Sequence, residues 1–423
     1  MNKRYPFGVS EKLLNWAGNH TFLAPRVHRP TTVGEVQEIV SAATKVKAAG
    51  TRHSFGDIAD TEGDLISVEG LSGIYELTEA DNILVEAGAR YGDVSRYLST
   101  QGFALANMAS LPHITVGGSI ATGTHGSGVK NPSLSAAVRE LSIIKADGSW
   151  QMLKRGRDAE FEGAVVGLGA LGVVVALRLD IVPDFQVAQT VYENLPWQEL
   201  EGDFEALLSG GYSVSLFTRW SSEMVDHVWV KRTSGESGSE YFGAKKADGP
   251  RHPLPDMPTE NSTTQDGLYG PAFERLPHFK MEFTPSSGEE LQAEYLMPRR
   301  HAFAAMKAID EIRDRIAPLL WISEIRTVAA DDLWMSPSYG ENSVAIHFTW
   351  RPMVPEVMAL LPEIEARLAP FGARPHWGKL FTVGADRIRS LYPRSGDFIR
   401  LAEEFDPTGK FRNGYLDRHV FGG

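Results

Sequence analysis

The chain has 423 residues with 12 His, 41 Gly and no Cys, and its 42 Lys and Arg against 54 Asp and Glu leave a formal charge of −12. The absence of Cys excludes disulfides, thiolate zinc sites, iron–sulfur clusters and a nucleophilic thiol, and the acidic balance argues against a phosphate-neutralising surface, so no nucleic-acid partner is expected. Apolar residues make up 42%, enough for a large core, and at about 150 residues per domain the length suggests two to three domains.

In chain order, a β-α-β pattern comes first. Thr32 and Glu35 form a capping-box pair, Val36, Ile39, Val40 and Ala43 recur at helical spacing, and a short strand-like run Val46–Ala49 ends at Gly50. Short strands are expected from Leu65 to Ala87, with Ala80-Asp81-Asn82 as a hairpin turn. A helix over Tyr91–Thr100 places Val94, Tyr97 and Leu98 on one face, and strand-like segments surround Gly117–Gly128 and continue through Leu141–Lys145 and Val173–Ile181. This alternation indicates an α+β domain up to a composition change near Pro183.

Residues 233–277, rich in Gly, Ser, Thr and Pro, read as long loops. Strand Leu291–Met297, helix Arg300–Ile316 and strands Trp321–Val328 and Val344–Trp350 form a second unit with antiparallel character. The segment from Arg374 returns to the first domain. Met1–Gly8 lacks the apolar stretch of a signal peptide, and the apolar run Ala164–Leu177 has 14 residues, short of the about 20 of a membrane span. A soluble, cytoplasmic protein without membrane contact is expected.

Gly167-Leu168-Gly169-Ala170-Leu171-Gly172 matches the G-x-G-x-x-G dinucleotide pattern, but a helix-like segment precedes it and the strand-like Val173–Leu177 follows. That order is the reverse of what a pyrophosphate site needs, so a closely packed helix-to-strand turn is the better reading. Two other loops carry more. Ala49–Phe55 offers consecutive N–H groups, hydroxyls and the Arg52 guanidinium, and reads either as an anion nest or as an ordinary turn. Val116–Gly128 holds five Gly and four Ser or Thr in thirteen residues and no charge, which suits close approach of a ligand to backbone.

Glu324 and Arg326 sit two apart on one expected strand, as do His347 and Thr349 on another, so each pair shares a face. They form either the floor of a hydroxyl-reading pocket or solvated faces with an ion pair. No H-E-x-x-H, EF-hand loop or G-x-S-x-G occurs, and His113 and His125 have no third ligand nearby, so no metal is expected.

Together, Asn15-Trp16-Ala17-Gly18-Asn19, His53-Ser54-Phe55, Asn107–His113, Ala121–Gly126, Glu324-Ile325-Arg326, His347–Trp350 and Arg374–Lys379 resemble the alditol oxidases of the vanillyl-alcohol-oxidase flavoprotein family, and the likeness runs through nearly the whole chain. The resemblance implies a two-part FAD-binding domain, residues 1–183 and 374–423, with a substrate domain of mainly antiparallel sheet, residues 184–373, inserted. It implies FAD attached through an 8α-N-histidyl bond to His53, which agrees with the lack of the Cys that bicovalent relatives need. The family reads Gly-Ser-Gly-His before this histidine, whereas this chain reads Gly50-Thr51-Arg52-His53.

The same likeness implies FAD contacts from Ala49, Gly50, Thr51, Arg52, Ser54, Ser110, Thr115, Gly118, Thr122, Gly123, Thr124, His125, Val173 and His376. It implies polyol contacts from Ser110, Glu324, Arg326, Thr349 and Lys379, with His347 supporting that wall and Ala109 beside the oxygen path. The implied reaction oxidises a terminal hydroxyl of xylitol or sorbitol by hydride transfer to flavin N5, with O2 reduced to H2O2. Lys379 and Arg326 would stabilise the developing alkoxide, or Lys379 would take the proton. An aldonolactone oxidase or dehydrogenase shares these motifs and is the alternative; a non-catalytic sugar- or flavin-binding protein is a more distant one. The implied partners are a polyol and O2, and a monomer is expected.

Overall fold

The capping box begins the first element as expected: Glu35 N donates to Thr32 Oγ1 at 3.3 Å and Thr32 N to Glu35 Oε2 at 3.2 Å, starting α1, Val33–Ala42. The computed structural model of the chain describes residues 13–75, 77, 81–254, 257–283 and 290–422. Helix α1 joins β1, Arg26–His28, to β2, Val46–Ala49, and both pair in parallel with β3, Asp64–Ser67, which lies between them. Buried Val36, Val40, Val46 and Ile66 share a core with Val173 and Val175.

Next come β4, Asn82–Glu86; α2, Tyr91–Thr100; β5, Phe103–Ala104; and α3, Val116–Ala121. They are followed by β6, Val138–Ile144; β7, Trp150–Lys154; α4, Phe161–Ala164; β8, Val173–Asp180; and β9, Val182–Pro183. Strands β4, β8, β6 and β7 form an antiparallel sheet in that order. Helix α2 has the expected bounds and buries Val94 and Leu98.

Residues 116–121, read as part of a Gly-rich loop, are helical: Val116 N and Gly117 N donate to Ala89 O and Ala87 O and draw the turn onto that backbone. A Cβ at Gly117 would lie 2.8 Å from Ala87 Cβ, so glycine permits the approach. The turn at Ala80-Asp81-Asn82 lies partly outside the described residues; beside it, Tyr75 N donates to Leu84 O and Glu86 N to Gly73 O, while β3 and β4 belong to different sheets.

The second unit contains β10, Gln186–Pro196; α5, Trp197–Ser209; β11, Ser213–Thr218; β12, Met224–Arg232; β13, Glu240–Tyr241; β14, Ala244–Lys246; β15, Asp266–Pro271; and α6, Ala272–Arg275. It continues with β16, Leu291–Pro298; α7, Ala302–Asp310; α8, Arg313–Ile316; β17, Leu320–Val328; β18, Ser343–Trp350; and α9, Val354–Leu368. With β19, Arg374–Pro375, its strands form a sheet in the order β13-β14-β10-β12-β11-β17-β18-β16-β19, with β15 also on β10. The stretch read as long loops thus contributes short strands to one end of this sheet. The helix expected over Arg300–Ile316 divides at Ile312 (φ −114°, ψ 19°), and Ile309, Ile312 and Ile316 all enter the main core.

One face of this sheet is apolar. Leu291, Ala293, Tyr295, Ile325, Ile346 and Phe348 pack with Met306 and Ile309 of α7 and Leu361 and Ile364 of α9. Beyond β19 the chain forms α10, Ala385–Leu391; α11, Ser395–Phe405; and α12, Gly414–Leu416. It meets the first unit again: Val46 N donates to Lys410 O, Lys410 Nζ to Val40 O, and Asn413 Nδ2 to Asp60 O. Among the described residues no helix is long and apolar enough to cross a membrane.

Two alanine substitutions test the packing with opposite signs. A Cβ at Gly88 would sit 1.9 Å from Val68 O, a backbone atom that cannot move aside, whereas one at Gly34 in α1 meets nothing within 4 Å among the described residues. Gly88→Ala is expected to cost about 3 kcal/mol, and Gly34→Ala to stabilise by up to about 1 kcal/mol, read as a fall and a rise in Tm.

Candidate active site

Alternation puts the polar residues of three neighbouring strands on the face opposite the helices. The register aligns Glu324 of β17, His347 of β18 and Glu294 of β16 in one row, and Ile322, Thr349 and Gln292 in the next. Arg326 reaches across this wall: its Nη2 donates to Glu294 Oε1 at 2.6 Å, its Nη1 to Ser110 Oγ at 3.3 Å, and its Nε lies 3.5 Å from Glu324 Oε2. His125 Nε2 and His347 Nδ1 stand 3.3 and 3.4 Å from the two Glu294 oxygens, and His347 Nε2 is 3.2 Å from Thr349 Oγ1.

The charges balance within the wall. Burial alone would raise the Glu294 carboxyl, but Arg326, then His125 and His347, hold it well below the usual carboxylate range. Glu324 is held low in the same way, burial being outweighed by Arg326 and His278. Burial opposes the Arg326 charge, yet Glu324 and Glu294 raise its pKa. Lys379 is lowered to about 8, chiefly by burial and further by Arg326, with Glu294 opposing. Its Nζ donates to Gln292 Oε1 and sits 5.0 Å over the Phe55 ring.

A second wall is built from loops clamped to one another. Asn15 Nδ2 donates to Ser54 O at 2.9 Å, Asn19 Nδ2 to Phe55 O at 2.8 Å, and Trp16 N to Arg52 O at 2.9 Å, so the Asn15–Asn19 motif holds the His53 loop. The Trp16 and His53 rings are 5.0 Å apart. From the other side Phe55 N donates to Gly378 O, and Gly378 N to His376 Nδ1 at 3.0 Å. Burial, then His113 and the cations Lys379, Arg52 and Arg90, lower the His53 pKa to about 3, which leaves a neutral imidazole.

Arg52, standing where the family has Gly, takes φ +58°. That is a left-handed conformation costing a non-Gly residue about 1 kcal/mol. Its Nη1 pairs with Glu69 at 3.1 Å, while its buried Nε has no partner among the described residues. A Cβ at Gly50 would fall 1.9 Å from Thr115 Oγ1, so only glycine lets the two loops approach this closely.

Both walls line one cleft. It receives Ala49, Gly50, Thr51, Arg52, His53, Ser54, Ala109, Ser110, Thr115, Gly118, Thr122, Thr124, His125, His376, Glu324, Arg326, His347, Thr349 and Lys379. Gly123 and Val173 stand off it: a Cβ at Gly123 would meet Pro337, and Val173 points into the core beneath α1 while Val174, one residue on, faces the cleft. The Gly167–Gly172 segment is a helix-to-strand turn between α4 and β8, but it also lines the cleft, with Leu168, Gly169 and Gly172 at positive φ. Lys47 Nζ ties this turn to β2 through Gly169 O at 2.9 Å.

Sequence reasoning missed Lys47, His278, Gln292 and Glu294, all of which line the cleft. The alternation Glu290-Leu291-Gln292-Ala293-Glu294 was the available sign of a third polar strand face. His125, Glu294 and His376 bring ligand-type atoms within 4.8 Å of one another. Arg326, bonded to Glu294 Oε1, already supplies the countercharge there.

The bare Gly50 backbone, the unpaired Arg52 Nε and a cleft running to a polar wall fit an extended, anionic cofactor such as FAD. A family model described as FAD binding domain matches residues 24–154, and one described as D-arabinono-1,4-lactone oxidase matches residues 286–419. The chain is 48% identical to the alditol oxidase of Streptomyces sp. (strain IKD472 / FERM P-14339), over 96% of this chain and 99% of that protein. The chain belongs to the alditol oxidase family of FAD-dependent oxidoreductases.

A likeness of 29% extends to the L-gulonolactone oxidase of Mus musculus over 96% of this chain and 97% of that one. The fold of this family is shared more widely: a cholesterol oxidase from B. sterolicum superposes with a TM-score of 0.80 at 16% identity, covering 97% of this chain and 96% of that one. The α+β architecture expected from the family resemblance, an FAD-binding unit beside a mainly antiparallel sheet, is the one present.

Glu294→Gln removes the nearest countercharge of a buried guanidinium. It is expected to cost about 3 kcal/mol, read as a lower Tm. It also removes the leading group that opposes the lowering of Lys379, so any Lys379-dependent pH midpoint moves below that of the parent protein.

Proposed function

We propose that the protein oxidises the terminal primary hydroxyl of an alditol, such as xylitol or sorbitol, to the aldose, with O2 reduced to H2O2 and FAD carried covalently by His53. The observation carrying this reading is the cluster of polar groups at one wall of the cleft, Glu324, Arg326, Thr349 and Ser110, beside a buried lysine of lowered pKa. Residues 1–183 with 374–423 would form the FAD-binding part and 184–373 the substrate part.

Ala49–Ser54, Ser110, Thr115, Gly118, Thr122, Thr124, His125 and His376 would hold FAD. When bound, FAD supplies the acceptor for the hydride leaving the carbinol carbon and the route for two electrons to O2. The neutral His53 imidazole has the free lone pair that a covalent bond to a flavin methyl carbon requires. Arg52 Nε adds positive charge beside a backbone that takes none of its own.

At the other end of the cleft the reacting hydroxyl must lose its proton as the hydride departs. Lys379, lowered to about 8, is partly neutral near pH 8 and takes that proton at Nζ. Arg326 stays charged and stabilises the oxygen as negative charge develops, at low cost because Glu294 and Glu324 already fix the guanidinium. Glu324, Thr349 and Ser110 bind the next hydroxyls along the chain. A substrate without those hydroxyls would leave these buried groups unpaired and is rejected.

A second reading, oxidation of an aldonolactone, is favoured by the match of residues 286–419 to a lactone oxidase model. Anaerobic mixing separates the two: xylitol or sorbitol is expected to bleach the flavin band and gulono- or galactono-lactone to leave it, with H2O2 appearing on admission of air. Bleaching by lactone alone reverses the assignment. Acid precipitation is expected to leave flavin in the pellet of the parent protein and in the supernatant of His53→Ala. Flavin reduction should rise with pH through about 8, and Lys379→Met should abolish that rise and slow reduction by about 100-fold or more with FAD retained. A rate falling with pH would make Lys379 an electrostatic partner instead.

A further inference from the structure

Two buried titratable groups outside this chemistry adjoin the hydroxyl-reading wall: His278, at the edge of the cleft, and Lys231, behind it. His278 lies on a strap that follows α6, its ring held edge-on against Phe217 and Trp229 at centroid distances of 5.7 and 5.0 Å. Its Nε2 is 2.7 Å from Glu324 Oε1, and its Nδ1 is 3.3 Å from Lys231 Nζ. The strap backbone grips a second substrate-facing residue: His278 N and Phe279 N both donate to Ser110 O, at 3.0 and 3.2 Å.

Lys231 backs His278 from the side away from Glu324. It is 1% exposed on β12, and its Nζ also donates to Leu276 O and Pro277 O. A carboxylate only accepts, and Arg326 holds Glu324 in that form. The imidazole proton facing it is therefore on Nε2 and is donated to Glu324, which leaves the Nδ1 lone pair toward Lys231 Nζ. The ring cannot turn between its aromatic neighbours, and Glu324 Oε1 is thereby committed inward. Its Oε2 is left toward Arg326 and the cleft.

We infer that His278, bonded through Nε2 to Glu324 and through its backbone to Ser110, is a positioning residue that sets Ser110 and Glu324 in register for polyol binding. It acts through Glu324 and Ser110, so its effect falls on substrate binding more than on the limiting rate of hydride transfer. The inference rests on the proposed oxidation of polyols. The parent protein is therefore tested first with alditols and lactones; bleaching by lactone alone rejects that reading, and the same variants are then compared with the lactone, which meets the same wall.

The experiment measures anaerobic flavin reduction against substrate concentration in the FAD-loaded protein and in its variants His278→Ala, His278→Gln and His278→Asn, with Tm and flavin content alongside. His278→Ala is expected to raise the half-saturating concentration tenfold or more while the limiting rate changes less than threefold. The Gln amide reaches the Nε2 position and can still donate to Glu324, so His278→Gln is expected within threefold of the parent. Asn is too short to reach and should resemble Ala. Should His278→Ala not fold, the Gln–Asn contrast carries the same test. Equal half-saturation for Gln and Asn, or for Ala and the parent, overturns the inference, as does a limiting rate that falls as far as binding does.

Discussion

The site depends on one buried carboxylate. Glu294 lies beneath the wall, 1% exposed, where an isolated anion would not survive desolvation. It persists because Arg326, His125 and His347 converge on its two oxygens. In return it lets Arg326 stay charged in a place too dry for a lone guanidinium, and it limits how far the Lys379 pKa falls. The sheet register supplies the geometry: Glu294 and Glu324 flank His347 on the strands either side of it, and both carboxylates reach the Arg326 guanidinium.

The opposite wall uses backbone where the sheet uses charge. Asparagines at 15 and 19 hold the His53 loop from one side, and the Gly378 carbonyl holds it from the other. Tyr415 Oη in turn donates to Trp377 O. These bonds explain why short motifs far apart in sequence read as one signature: each supplies a polar group that another segment's backbone lacks. Arg52 is the exception, a side chain in a conformation glycine would adopt more cheaply, kept in place by Trp16 N at its carbonyl and Glu69 at its guanidinium.

Much of this was legible in the residues. The Thr32–Glu35 box, the Tyr91–Thr100 helix and the β16, β17 and β18 strands follow local periodicity, which burial on one face reinforces. The Glu324–Arg326 and His347–Thr349 pairs follow from the two-residue repeat of a strand. Tertiary contact decided the rest. The Gly-rich segment at 116–121 coils because Ala87 and Ala89 carbonyls capture its first amides. The alternation of β16 marks Gln292 and Glu294 as sharing one face, but the weight Glu294 carries is set by Arg326, His125 and His347 from other segments. Val173 and Val174 exchange roles by the same strand alternation, one facing the core and the other the cleft.

The bond from Phe55 N to Gly378 O joins positions separated by most of the chain, and Val46 N reaches still further, to Lys410 O. The loop carrying His53 is therefore completed only by segments distant in sequence, and closing loops of that length costs more entropy than a local turn does. The stretch that supplies the Gly378 carbonyl also carries Lys379, so the two walls of the cleft are joined through adjacent residues of one short segment.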